Sequence, residues 1–198
     1  YTGSTTVGKI FYKMAAERLV PVTLELGGKS PCIVESDANI RVAARRIAMT
    51  KFSNAGQMCV TPDYVIVHES IKEKFISAIK ETVQQFFSDD PEQSYNYGKI
   101  INEKQFDRIT TYLSNGKIVF GGRTDKKNLF IEPTLLDNVN TNDPVMRDEI
   151  FGPVLPVLTF KTKDDALKII TQHPNPLAFY VFTSSKEKEN DWLNSIAS

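Results

Sequence analysis

Residues 64–87 read YVIVHESIKEKFISAIKETVQQFF, and the change of period inside that stretch decides the fold. Tyr64 to His68 is β-branched and apolar, which predicts a strand. From Ser70 the spacing lengthens. Ile71, Phe75, Ile79, Val83 and Phe86 fall on one helical face and predict a stripe turned to a core. Ser70, with Glu73 three residues on, predicts a capping box that opens this helix. A strand passing directly into an amphipathic helix is the unit from which α/β sheets are built.

The same alternation extends outward. Upstream, Ile40, Ala43, Ala44, Ile47 and Ala48 line one face of a helix expected from Asn39 to about Phe52. A loop, Ser53 to Gln57, follows and leads to Cys59. Cys32 to Val34 is strand-like, and Val22 to Leu26 is a short strand broken by Gly27-Gly28. Thr5 to Arg18 reads as a helix after a Gly3-Ser4 turn, ended by Pro21. Downstream, a helix is expected over Asn102–Ser114, closed by Asn115-Gly116, then a strand over Ile118–Phe120 and a polar turn region over Gly121–Asn128. Val154–Phe160 and Leu177–Thr183 read as strands, Thr162–Thr171 and Glu187–Ile196 as helices. Short connectors between alternating elements predict an α/β fold: a three-layer α/β/α domain whose largely parallel sheet is covered on both faces. No internal repeat or low-complexity tract interrupts the pattern.

Composition narrows the function classes. The 198 residues are 41% hydrophobic and carry 24 basic and 24 acidic side chains, so no basic stripe points to nucleic acid. The apolar runs are strand-sized, well below the ~20 residues that span a bilayer. Tyr1-Thr2-Gly3-Ser4 has neither a basic nor an apolar character, so no signal peptide is expected. The two cysteines, Cys32 and Cys59, make no disulfide framework and no zinc-ligand spacing, so no metal is expected and a reduced, cytoplasmic setting is. Both ends read as cuts in a longer polypeptide.

Four short segments could carry chemistry. In Tyr1-Thr2-Gly3-Ser4-Thr5-Thr6-Val7-Gly8, small residues open a helix whose free N–H groups suit a phosphate, or simply a helix start. Leu24-Glu25-Leu26-Gly27-Gly28-Lys29 sets a carboxylate between leucines, which would raise its pKa toward a general base; a strand-end Glu facing water fits equally. Asn54-Ala55-Gly56-Gln57-Met58-Cys59 places a thiol at an element boundary, where a nucleophile is well presented; an inert packing cysteine is the commoner fate and suits Cys32. Asp148-Glu149-Ile150-Phe151-Gly152-Pro153 is a stiff acidic turn able to hold a ribose and bracket a flat ring, or an ordinary turn before a strand. His68 and His173 read as surface or packing residues.

Together these segments resemble the aldehyde dehydrogenase superfamily. YTGSTTVG looks like its phosphate-turn motif, LELGGK like its general-base motif, GQMC like its nucleophile motif and EIFGPV like its nicotinamide-ribose motif, all in family order over nearly the whole chain. The Cys59-to-Glu149 interval and the text from Leu19 to Cys32 are similar to the class-three branch of shorter, dimeric enzymes. The resemblance implies NAD- or NADP-dependent oxidation of aliphatic or aromatic aldehydes to acids through a thiohemiacetal and a thioester. It implies Cys59 as nucleophile, Glu25 as general base, Gly3, Ser4 and Gly8 at the cofactor phosphates, Glu149 at the nicotinamide ribose and Phe151 beside the nicotinamide. It further implies that residues 1–26 end a dinucleotide-binding domain, that 27–198 belong to a catalytic domain truncated at its C-terminus, and that the intact protein is a homodimer. Some class-three relatives also carry a C-terminal membrane anchor. The 198 residues alone are expected to be inactive. An acylating or semialdehyde dehydrogenase of the same superfamily, and a non-catalytic structural relative, are the competing expectations.

Overall fold

Short β-branched runs that are apolar at every position cannot face water on either side, and they form the centre of the molecule. The computed structural model describes residues 1–173 and 176–196; Pro174, beside His173, and the last two residues of the expected catalytic domain lie outside them. The elements in chain order are β1 (Thr2–Gly3), α1 (Thr5–Ala16), β2 (Glu25–Leu26), β3 (Pro31–Val34), α2 (Ile40–Phe52), β4 (Tyr64–His68), α3 (Lys72–Phe87), α4 (Glu103–Thr111), β5 (Lys117–Phe120), β6 (Thr124–Asp125), β7 (Phe130–Ile131), β8 (Thr134–Asp137), α5 (Pro144–Arg147), β9 (Val154–Phe160), α6 (Lys163–Ile170), β10 (Tyr180–Phe182) and α7 (Lys186–Leu193).

The main sheet has six strands in the order β10-β3-β4-β9-β8-β5. Every neighbouring pair is parallel except β5 with β8. All of β3, and β4 from Tyr64 to Val67, are buried, so the sheet is covered on both faces. Helix α2 packs along α3, α6 lies against β9 and α7 against β10. The expected α/β fold with a largely parallel sheet is the one observed. A separate two-stranded parallel pair, β1 with β2, holds the first residues together. No described helix is long and apolar enough to cross a membrane.

Several expected boundaries move for identifiable reasons. Helix α1 stops at Ala16, short of Arg18, because Leu19 takes a left-handed φ of 53° and the Val20 N–H returns to the Ala15 carbonyl at 3.0 Å. The Ser70–Glu73 capping box does not form. Ser70 is engaged by the His68 ring, its hydroxyl 2.8 Å from Nδ1, and a 3-10 turn over Glu69–Ile71 delays α3 to Lys72. The α3 stripe ends on buried Phe87, with Phe86 only half-buried. Strands β7 and β8 and helix α5 were not anticipated. Thr162 does close a capping box, with Asp165, at the head of α6.

Candidate active site

Strand order gathers three of the four segments. LELGGK runs into β3, the cysteine segment into β4 and the EIFGP turn into β9. These are adjacent parallel strands, Pro31 pairing with Tyr64 and Val65 with Val157, so the residues just before each emerge at the same, N-terminal end of the sheet. Within the main sheet, parallel geometry thus delivers Gly27–Lys29, Gln57–Asp63 and Asp148–Pro153 to one edge, while Glu25 lies in the separate β1–β2 pair.

The cysteine loop is held by backbone shape and by side-chain bonds. After α2, Asn54, Ala55 and Gly56 all take positive φ (50°, 51° and 74°), which turns the chain sharply. A Cβ on Gly56 would lie 2.3 Å from the Gly152 carbonyl oxygen, so the loop and the EIFGP turn are in backbone contact there. Gln57 donates to the Asn54 and Lys99 carbonyls, each at 2.9 Å, and accepts from the Ile101 N–H at 3.0 Å. Beyond the cysteine, the Tyr180 hydroxyl of β10 donates to the Val60 carbonyl. Cys59 itself is a free, exposed thiol, whereas Cys32 is enclosed in β3, where burial pushes its thiol far up.

A buried ion pair forms the floor. Lys29, just after the double glycine, meets Asp63, just before β4, and both side chains are almost fully enclosed. Lys29 also donates to the carbonyls of Val145 (2.8 Å) and Asp148 (3.0 Å), and Asp63 accepts the Ile150 N–H at 2.9 Å. Arg108 of α4 grips the same turn, donating to the Ile150 carbonyl at 2.7 Å. With the backbone on either side pinned, the Glu149 carboxylate lies on Gly27: a Cβ there would be 2.0 Å from Oε2. Burial, then the charge of Asp63, raises Glu149 to about 7, against the Gly28 N–H, Lys51 and Lys29, which favour the ionised form. Phe151 is exposed, with φ 46°.

At the chain start, Ser4 caps α1 by accepting the Val7 N–H, and Gly3 pairs with Leu26. The Gly8 N–H is spent on the Ser4 carbonyl at 2.9 Å, so what Gly8 offers is a missing side chain: a Cβ would sit 2.9 Å from the Leu26 side chain. Leu26 therefore turns toward α1, and Glu25, the other residue of β2, is exposed rather than enclosed by its leucine neighbours as the sequence suggested. Its N–H donates to the Tyr1 carbonyl at 2.8 Å. His68 packs edge-on against Phe160 and His173 is half-buried near Tyr64.

The aldehyde dehydrogenase family model matches residues 1–198. The chain belongs to the aldehyde dehydrogenase family. It is 48% identical to the 4,4'-diaponeurosporen-aldehyde dehydrogenase of Staphylococcus aureus over 100% of this chain and 43% of that protein. It is 46% identical to the dimeric NADP-preferring aldehyde dehydrogenase of Mus musculus over 93% of this chain and 41% of that one. Family 3 members are among the similar proteins. The structure of a substrate-bound Staphylococcus aureus AldH superposes with a TM-score of 0.97 at 47% identity, covering 100% of this chain and 43% of that one. The chain thus spans about two fifths of the length of the curated relatives it matches.

In this aldehyde dehydrogenase chain, four charged residues of the site carry no role legible in the sequence motifs. Lys29, Asp63 and Arg108 look like ordinary surface charges, because their partners lie on distant elements. Lys51 did leave a signal. It continues the apolar stripe of Ala44, Ile47 and Ala48 at helical spacing, and a lysine on a core-facing stripe is unusual. It is fully buried.

Proposed function

We propose that this chain carries the chemistry of an NAD(P)-dependent oxidation of aldehydes to carboxylic acids, with Cys59 as nucleophile and Glu25 as general base. The observation that supports it most is an exposed thiol, Cys59, on a clamped loop whose backbone touches the turn carrying Glu149, at one end of three adjacent parallel strands.

The residues fit a nicotinamide dinucleotide. The N–H groups of Thr5 and Thr6 precede the first intrahelical donor, Gly8, and so are available to phosphate with Gly3 and Ser4. Gly8 lets the helix close on β2. Glu149 is assigned to the nicotinamide ribose hydroxyls and Phe151 to the nicotinamide end. When bound, the nicotinamide supplies a hydride acceptor. The chain's own groups do the rest. The Cys59 thiolate attacks the aldehyde carbon and forms a C–S bond, and loss of hydride from that carbon leaves a thioester on Sγ. Glu25, exposed and therefore reachable by water, takes a proton from the attacking water; the C–S bond breaks, releasing the acid and the thiolate. Residues 1–26 are assigned to the end of the dinucleotide-binding domain and 27–198 to the catalytic domain, in keeping with the separate β1–β2 pair. The proposal extends to a cytoplasmic homodimer for the intact protein, the mouse relative being named as dimeric.

The test is the full-length protein with hexanal, a long-chain aldehyde and benzaldehyde, each with NAD and NADP. Aldehyde-dependent nucleotide reduction with formation of acid is expected. Cys59→Ala abolishes it. Glu25→Gln keeps a first burst of reduced nucleotide but slows thioester hydrolysis by about 10²-fold or more. Undiminished turnover in Glu25→Gln would remove it as the base, and turnover in Cys59→Ala would overturn the whole proposal.

A further inference from the structure

Lys51 has no solvent exposure, and its Nζ has no hydrogen-bond partner among the described residues. A buried ammonium is ordinarily paired, so an unpaired one at a candidate site calls for a cause. The charges facing it are Asp63, Lys29 and Glu149. Two of these are already committed. Lys29 is bonded to Asp63 and two carbonyls, and Asp63 to Lys29 and the Ile150 N–H. Glu149 is the one left without a cation of its own, and the charges facing it are Asp63, Lys51 and Lys29. Geometry puts Lys51 and Glu149 on one seam: the Cβ position of Gly56 lies 3.0 Å from the Lys51 carbonyl oxygen and 2.3 Å from the Gly152 carbonyl oxygen, so the end of α2 abuts the turn that carries Glu149.

We propose that Lys51 is a positioning residue for Glu149: its enclosed ammonium keeps that carboxylate ionised, so that both oxygens can accept hydroxyl donors from the bound cofactor's ribose. The inference rests on the assignment of Glu149 to the ribose made above. Its physical basis is a contest at one carboxylate. Burial and Asp63 push Glu149 toward the neutral acid, and the Gly28 N–H, Lys51 and Lys29 oppose them, with a balance near 7. A protonated carboxyl loses one acceptor oxygen. Burial draws Lys51 down to about 8, while Asp63 and Glu149 pull it back up, so both groups are poised in the neutral range.

The experiment measures NAD affinity of the full-length protein from pH 5.5 to 9.5 for the wild type, Lys51→Met and Glu149→Gln. In the wild type, affinity falls as pH drops through about 7. In Lys51→Met the midpoint rises by about one pH unit while the high-pH plateau is kept. In Glu149→Gln the titration disappears. A uniform loss of affinity at every pH in Lys51→Met, with an unmoved midpoint, overturns the inference and leaves Lys51 a packing residue. If Glu149→Gln binds NAD like the wild type, the ribose assignment itself fails. Should Lys51→Met not fold, the reciprocal measurement decides: the lysine signal titrating near 8 in 15N-labelled wild type must move down in Glu149→Gln, and a stationary signal refutes the coupling.

Discussion

A single methyl group at position 27 separates the roles of fold and site. Gly27 has its would-be Cβ 2.0 Å from the end of the flexible Glu149 side chain, not from backbone, so Gly27→Ala displaces the carboxylate while the chain around it stays. The expected outcome is a thermal midpoint close to wild type with NAD affinity lowered as in Glu149→Gln; wild-type affinity in calorimetric titration would show that Glu149 does not use this resting place. Lys51 gives the opposite balance. Burial draws its ammonium down to about 8 in the fold, against an ordinary value of 10.5. Between those values the unfolded chain binds more protons, so stability rises with pH across that window, and below 8 the full cost persists. Lys51→Met is therefore expected to stabilise the protein at pH 7, by on the order of 3 kcal/mol, with the gain shrinking as pH rises from 8 to above 10.5. Urea unfolding at pH 7 and pH 10.5 checks it, and a variant less stable than wild type at pH 7 contradicts it. At this scale the presentation of Cys59 was legible, because its segment follows one element and precedes another, and the thiol is exposed there. The exposure of Glu25 was not, because which residue of β2 turns to Gly8 depends on where α1 lies.

Elements explain why separated segments act together. Strand and helix existence follows from local period, so β4, α2 and β9 were readable nearly residue for residue. Their order in the sheet is not local, and nothing in the pattern says that β9 lies between β4 and β8. Only that order puts the three segments together, and it puts them at the N-terminal strand ends, whereas ligands of open α/β sheets usually sit at the carboxyl ends. Strands β7 and β8 escaped notice because Pro133 and Thr134 break their apolar run into short pieces. The pin between elements is Lys29–Asp63, which ties the approach to β3, the approach to β4 and the turn before β9. Lys29→Met leaves a buried carboxylate without its cation, at an expected cost of about 3–5 kcal/mol. Adding Asp63→Asn to it should recover part of that loss in a double-mutant cycle of urea unfolding. Additive losses would mean that the two side chains do not act as a pair.

Across the whole molecule, cohesion is uneven. The strands β3, β4 and β9 are enclosed on both faces, and their amides sit in ladders shielded by α2, α3 and α6. The first 26 residues are joined by two register pairs between β1 and β2 and by the stacking of Tyr1 on Phe11. Helix α1 buries only Gly8, and it exposes Ile10 and Tyr12 by more than half, as the following turn exposes Leu19 by 93%. Local opening is cheapest where few apolar contacts must be broken. In the 198-residue chain expressed alone, the α1 amides should therefore exchange with solvent deuterium at least about 10²-fold faster than those of β4. In the full-length protein, where the proposed remainder of the dinucleotide-binding domain supplies a surface for Ile10, Tyr12 and Leu19, that gap should close. Equal protection of α1 and β4 in the short chain would mean that residues 1–26 are an integral part of the catalytic unit. The proposed boundary at residue 26 would then have to be abandoned.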